Sequence, residues 1–531
     1  MTSLSALPAL NTAVAGNPTA PSRGGTSTAN GAAQTPASSA TIVTLGQANA
    51  ALRAQLYTPP AAPAPLWERA TGDAVSTLMA TDNTATSLAT RFKGLGAALL
   101  GRFDTEAGNF SQSVVQFAPA TQMGNVLETT TQAQLHKLPD NQIALTVQTV
   151  GGAQVTLTLG STDNGLAVQV DVTKGALSDA DRSALSKLAG AFQKAIDGLA
   201  ASPPRMDLNG LTQFDSTVLS SVDLHASVQA GDGPQVIDFH ADDKQRTVSS
   251  SGPLGSMKLA VDLSNPAIVG NARQQAQAIS SYLKQFDYEQ DRGHGDATMM
   301  GMFKDAFSEM NSNYPASASR QNFAAPGAIS LNAEDHSLLT GLADFSASVS
   351  QNPTFPNPLH AEESDSFSYQ LSQTSTVKGD GQLNRSITQQ QQSHLSASYH
   401  ESLQPDLPLR LTTARESQNY TYHQIEDSAT STASLSYGRG ALVRATLSQS
   451  ASQSSRVMKY VMGQLQSDVT TPQQANWTKD LLAQFQKAQS GDNSRTTLDN
   501  FRWQQTLESI NSLTVLQADP TQIKAAGVKT F

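Results

Sequence analysis

The chain of 531 residues contains no cysteine, which excludes disulfides, thiol nucleophiles and thiolate metal sites. Charge is also scarce. Asp, Glu, Lys and Arg supply 15% of the residues, and a net charge of -10 is thin over this length. No run of Lys or Arg occurs, so the basic stripe with which a protein displaces counterions from nucleic acid is missing. No apolar run approaches the roughly 18 residues of a membrane-spanning helix. Neither a Gly-x-Ser-x-Gly elbow nor a phosphate-binding loop is present.

The first fifty residues carry a single charged side chain, Arg23, among Ser, Thr, Ala, Asn, Gly and Pro. So little apolar surface cannot offset chain entropy of about 1–2 kcal/mol per residue. Residues 1–60 are therefore predicted to be a disordered leader and Pro-rich linker. No basic region precedes a continuous apolar one, so this is not a secretory signal peptide. The composition resembles the uncleaved leaders of flagellar-type and injectisome-type export substrates. Two placements follow: the cytoplasm, or export without a cleaved secretory signal peptide.

What the chain does have is alternation. In "QIALTVQTVGGAQVTLTLGSTDNGLAVQVDV" (142–172), Ile143, Leu145 and Val147 share a strand face, as do Val155, Leu157 and Leu159, then Leu166, Val168, Val170 and Val172. A three-residue loop at 150–152 sets Val147 on Val155, with Gly152 left-handed, whereas a two-residue turn would rotate one apolar set toward water. The second turn, around Asp163-Asn164-Gly165, must contain an even number of residues and is expected to bring Leu166 to Leu159. A helix follows, with Ser178 as N-cap, Asp181 as capping-box acid and a stripe from Leu185 through Phe192 and Ile196 to Leu199. It is predicted to cover the meander's apolar face.

A second strand set (Val222, Leu224, Ala226; Ile237, Phe239; Met257, Leu259, Val261) again ends in a helix, capped by Asn265 with Pro266 in its first turn. Residues 140–312 thus read as an α+β domain. Met299, Met300, Met302 and Met310 read as gap-filling core. Before it, 61–125 reads as a helical segment, with Leu88, Phe92, Leu95, Leu99 and Phe103 in one stripe and Phe110, Val114 and Phe117 in another. Gly94 and Gly96 echo a dinucleotide fingerprint, but Leu99 replaces its last glycine and no strand precedes it, so close helix packing explains them better.

Residues 313–360 read as a linker with a short helix, and 361–463 as a Ser/Gln-rich antiparallel region of long strands. Hairpins are expected at Gly379-Asp380-Gly381, setting Val377 opposite Leu383, and at Gly438-Arg439-Gly440, setting Leu435 opposite Val443. A membrane barrel would alternate too, but Lys529 stands where that pattern wants an aromatic, and 464–531 reads as helical.

The candidate chemistry is sparse. Asp287, Glu289 and Asp291 mimic the first three ligands of a calcium hand, yet Arg292 replaces the turn glycine and Thr298 the bidentate acid. His294, between two glycines, lacks a fixed second shell. His360, Glu362, Glu363 and Asp365 form a charge cluster that reads as hydrated linker. His400-Glu401 opens a zincin-like motif, but Gln404 stands where the second histidine belongs. His394 and His400 share the Ser-rich face and would cluster if His423 came near. The tyrosines at 369, 399, 420, 422, 437 and 460 suit a contact surface or a sheet core.

"VDLSNPAIVGNARQQAQAISSYLKQF", "MFKDAFSEMNSNYP", "LLTGLADFSASVSQN" and "SQNYTYHQIEDSATSTASLSYG" together resemble a family of uncharacterised proteins from Gram-negative bacteria, over about residues 66–463. Some of its members carry an automatic lactate dehydrogenase label. The resemblance implies no catalytic residue here, and the strand-Gly-helix fingerprint with its acidic ribose partner is missing. The sequence therefore predicts an α+β protein of antiparallel meander sheets with helices packed on one face and a long-stranded Ser/Gln-rich sheet in the C-terminal half. The expected function is non-enzymatic, presenting polar sheet surfaces to another protein, a polysaccharide or copies of itself. No catalytic, cofactor-binding or metal-binding residue is assigned, and neither nucleic acid nor a transmembrane segment is expected. An oxidoreductase and a secreted effector are the alternatives.

Overall fold

The computed structural model describes residues 64–69, 72–106, 108–117, 125–314, 329–404, 406–489 and 497–528. The expected leader and the residues Lys529 and Phe531 lie outside them. Alternation does make one-faced strands, and these join edge to edge into one antiparallel sheet. Its strands are β1 (Ala64–Trp67), β2 (Phe110–Phe117), β3 (Asn141–Thr149), β4 (Gln154–Thr162), β5 (Gly165–Thr173), β6 (Leu219–Ala230), β7 (Gly233–Ala241) and β8 (Gln245–Gly252). They continue as β9 (Gly255–Asp262), β10 (Asp344–Ser350), β11 (Ser366–Gly381), β12 (Asn384–Ser402), β13 (Tyr420–Gly438), β14 (Ala441–Val461) and β15 (Gln464–Asp480). The spatial order is β1-β2-β5-β4-β3, then β6 through β15 in sequence, and β1 does not pair with β15. The sheet is thus open, and the chain is an α+β protein.

The two strand sets of the 140–312 region are continuous in one sheet. β3 pairs directly with β6, setting Leu145 opposite Leu224 and Val147 opposite Val222. The sheet also runs unbroken from β9 through β10 to β11, across the boundaries expected at 313 and 361.

Helices supply the second layer. They are α1 (Ala74–Asp82), α2 (Leu88–Arg91), α3 (Leu95–Gly101), α4 (Asn125–Lys137), α5 (Asp179–Lys187) and α6 (Ala189–Leu199). Further on come α7 (Ala272–Gly293), α8 (Ala297–Met310), α9 (Ala333–Ser337), α10 (Leu482–Gln489), α11 (Thr497–Asn511) and α12 (Pro520–Val528). Among the described residues, none is long and apolar enough to cross a membrane. Phe192 and Ile196 of α6 bury with Leu145, Leu157 and Val168 of the meander, and Met299, Met300, Met302 and Met310 are fully buried. Gly96 is packed as expected. A Cβ there would meet Ile196 Cδ1 at 2.4 Å.

Several local expectations are corrected. The 150–152 loop keeps its register, with Val147 opposite Val155 and Gly152 at φ +89°. The next turn has an even number of residues, but it is the pair Asp163-Asn164, so Leu159 faces Val168 rather than Leu166. Asp181 closes the capping box on Ser178, worth about 1 kcal/mol. The helix behind it then bends at Leu188 into α5 and α6. α7 starts at Asn271, not Asn265, because Pro266–Ile268 forms a separate 3-10 turn. Val377 meets Ile387 because the turn lies at Gln382-Leu383, past the expected loop, with a bulge beside Gly379. Leu435 meets Ala445 because a two-residue turn at Arg439-Gly440 and a bulge beside Tyr437 leave Val443 out; Leu383 and Val443 are exposed.

Residues 110–117 are strand β2, not helix. Gln112 through Val115 are all buried, because α4 covers the outer face there while the core covers the inner one, and a doubly covered strand loses its alternation. Residues 464–480 are strand β15, not helix. From Gln464 to Gln474 that strand is exposed on both faces, so no apolar period marks it. Pro472 within it is tolerated at a sheet edge.

Candidate functional site on the outer face of the sheet

Register carries the argument here. Antiparallel pairing aligns outward side chains into rows that cross the strands at about 4.8 Å intervals. One row runs Thr146, Asp223, His240, Thr247, Ala260 and Ser346, from β3 to β10. It continues through Ser372 and Gln392 to Thr430. The neighbouring row runs Ala144, His225, Asp238, Ser249, Lys258 and Ser348, then Gln370, His394 and Ser428. Between them lie two depressions of about 580 and 620 Å³, which share Lys258 and Ser346 and so form one trough.

Among the described residues, two other patches of the outer face are covered. Over β2 and β5, Leu135 of α4 packs on Val115 and Ala167. Over the far ends of β13 and β14, Leu409 and Leu411 pack on Tyr420, Tyr422, Met458 and Tyr460. Within the trough the charges are paired across strands. His225 Nδ1 lies 2.7 Å from Asp238 Oδ1, and His240 sits between Asp223 (2.6 Å) and Asp242 (3.1 Å). Burial disfavours protonation of His240, but the hydrogen bonds to Asp223 and Asp242 outweigh it and raise its pKa. Among the described residues, no group of three or more His, Asp or Glu is placed to hold a metal ion.

These central groups were not singled out in the sequence, although a signal existed. Asp223 and His225 alternate with Val222, Leu224 and Ala226, and Asp238 and His240 with Ile237, Phe239 and Ala241. Reading only the apolar parity left the polar parity unassigned.

The residues singled out from sequence fall elsewhere, with one exception. His394 lies in the second row, 3.2 Å from Glu426. It does not cluster with His400 or His423, because His423 opposes Tyr399 on the inner face. There His294, at φ +54° ending α7, stacks on Tyr399 at 3.8 Å, and His423 stacks on the ring's other side at 4.6 Å. Asp287, Glu289 and Asp291 lie on α7 itself, so they cannot converge as a loop would. Asp287 binds Lys304, Asp291 is exposed, and Glu289 is buried, its pKa pushed up to about 8 by burial and then by Asp427.

The cluster read as hydrated linker is partly an interior: Glu363 is buried, whereas Glu362 stays exposed. His400 is only 1% exposed at its side chain, with Nδ1 2.6 Å from Asp365 Oδ1 and Nε2 3.0 Å from Glu363 Oε2. Tyr420 donates its hydroxyl to Glu363 at 2.8 Å, and Asn357 and Gln418 exchange reciprocal amide hydrogen bonds at 3.0 Å. His360 stays at the margin, bonded to Glu362. The sequence hides this because the acids precede β11 whereas His400 lies near the end of β12.

The arrangement clamps the 354–365 segment to the sheet. Burial disfavours the His400 imidazolium, but hydrogen bonds to Asp365 and Glu363 prevail and raise its pKa. Burial would raise Glu363, but His400 and Tyr420 outweigh it and lower its pKa. His400 therefore stabilises fully below its ordinary pKa of about 6.5, and its contribution is lost as pH rises through the raised value. Glu363 contributes above its ordinary value of about 4.5 and loses that contribution as pH falls through the lowered one. Amide protection in 354–365, corrected for intrinsic exchange, should fall as pH rises beyond the ordinary histidine value of about 6.5 in the native chain. His400→Gln should flatten that dependence, and equal slopes in the two proteins would refute the clamp.

Compared with known family models, curated proteins and solved structures, the chain matches none.

Proposed function

We propose that this chain is a non-enzymatic interaction protein that offers its outer sheet face to a macromolecular partner. The observation that carries the reading is the pair of polar rows, in register over nine strands and, among the described residues, open along the trough. Their groups are hydroxyls, amides and carboxylate-paired imidazoles, which supply hydrogen bonds rather than an assembled reactive set.

The lactate dehydrogenase label of the resembling proteins weighs less. Every strand pairing in the sheet is antiparallel, whereas dinucleotides bind at the carboxyl ends of parallel strands. Export is the second part of the reading, and the leader's composition supports it. Native protein retained wholly in the cytosol while export substrates leave the cell would end that part.

A photo-crosslinking side chain placed at Gln370 or Gln392 in the producing cell tests the contact surface, with Ser280 on the exposed side of α7 as control. Discrete adducts are expected from the two outer positions and not from Ser280. Adducts from Ser280 alone, or from none of the three, would defeat the reading.

A further inference from the structure

We infer that the trough takes an extended, uncharged polysaccharide. This deepens the outer-face reading above and depends on it. The first support is periodicity. A polymer lying across nine strands meets a new polar side chain every 4.8 Å or so, over about 38 Å. That step is comparable with the advance of one sugar ring along an extended glycan.

The second support is the kind of group presented. Ser, Thr and Gln both donate and accept, as sugar hydroxyls do, so a chain of hydroxyls can be satisfied in either direction. Asp238, held on Oδ1 by His225, keeps acceptor capacity for a sugar hydroxyl, and Asp223, bonded to both His240 and Ser221, keeps its remaining lone pairs. The third support is what the rows lack. A protein partner is anchored by buried aromatic or aliphatic side chains at the interface centre. Among the described residues, no exposed large apolar side chain stands in either row.

Charge narrows the class further. The acids of the trough are paired with His225 and His240 and share it with Lys258, so the surface neither attracts a polyanion nor demands a polycation. An uncharged polymer is what remains.

Affinity electrophoresis of the full chain tests this, in native gels cast with a soluble β-glucan, a xylan, a mannan or dextran, and with alginate as the charged contrast. At least one neutral polymer should retard the chain, and alginate should not. The Gln370→Ala/Gln392→Ala double variant and Asp238→Ala should each weaken retardation about tenfold, with unchanged melting temperature. Thr388→Ala, exposed on the outer face beyond the trough, should retain it. Retardation that the trough variants leave intact, or none by any neutral polymer, overturns the inference. If the crosslinked partner at Gln370 then proves to be protein, the outer-face reading survives without the glycan. If no outer adduct forms, both fall.

Discussion

Asp335→Ala should lower the stability of the folded chain by about 3–5 kcal/mol, read as a fall in the urea midpoint. The side chain is wholly buried in α9, and its two oxygens serve three elements. Oδ2 accepts from Arg385 Nη2 on β12 at 2.8 Å and from Asn332 N at 3.0 Å, closing the helix cap. Oδ1 accepts from the Tyr437 hydroxyl on β13 at 2.7 Å. Arg385 is itself buried, its guanidinium 3.7 Å from the Tyr437 ring centroid. Removing the carboxylate strands that cation in a low-dielectric interior, and this stranding supplies most of the cost. Asp335→Ala combined with Arg385→Met should therefore recover most of the midpoint. A double variant no better than the single one would contradict this account.

Arg246→Met should cost a similar amount, about 3–5 kcal/mol, through a different mechanism. Arg246 points inward from β8, is 1% exposed and, among the described residues, has no carboxylate partner. Its guanidinium donates to the carbonyls of Met310 (2.9 Å), Ser312 (2.6 Å) and Asn313 (2.7 Å), where α8 ends. The carbonyls at a helix C-terminus carry partial negative charge, and these have no intrahelical donor. Burial presses the Arg246 pKa down to about 10, so the cation persists at neutral pH. Methionine fills the space but leaves those carbonyls unpaired. Arg246→Lys keeps the charge without the planar fork and should fall between the two. Equal midpoints for Met and wild type would show that water replaces the guanidinium at no cost.

Much of the fold was legible because a period of two is easy to see wherever one face is buried and the other wet. Ile143, Leu145 and Val147 announced β3, and parity alone fixed the loop at 150–152. The limits have the same origin. β2 is covered on both sides and β15 on neither along most of its length, so each lost the contrast that makes alternation visible. The joining of β3 to β6 was illegible for another reason. About 70 residues, including β4, β5 and two helices, separate the two strands, and no local pattern names a strand's distant neighbour. The candidate site was half legible. His394 was noticed, but Asp223, His225, Asp238 and His240 gain meaning only once the register lines them up. The burial of His400 was not legible, because the segment that covers it comes from another part of the chain.

The inner face of the long strands holds one further feature, an unusual set of buried amides. Gln391 donates to Thr514 O and accepts from Leu516 N, Gln449 donates to Leu513 O and Val515 O, and Gln453 donates to Ala518 O. Every one of these partners is main chain. The sheet thus grips residues 513–518 by their backbone, which any sequence possesses, so substitutions of the solvent-facing side chains there should be tolerated while an inserted proline at 516 should not. The grip also comes late. A ribosome delivers all fifteen strands before this ribbon exists, so until it arrives those glutamines must wait in water, and the face beneath them stays unsealed during synthesis.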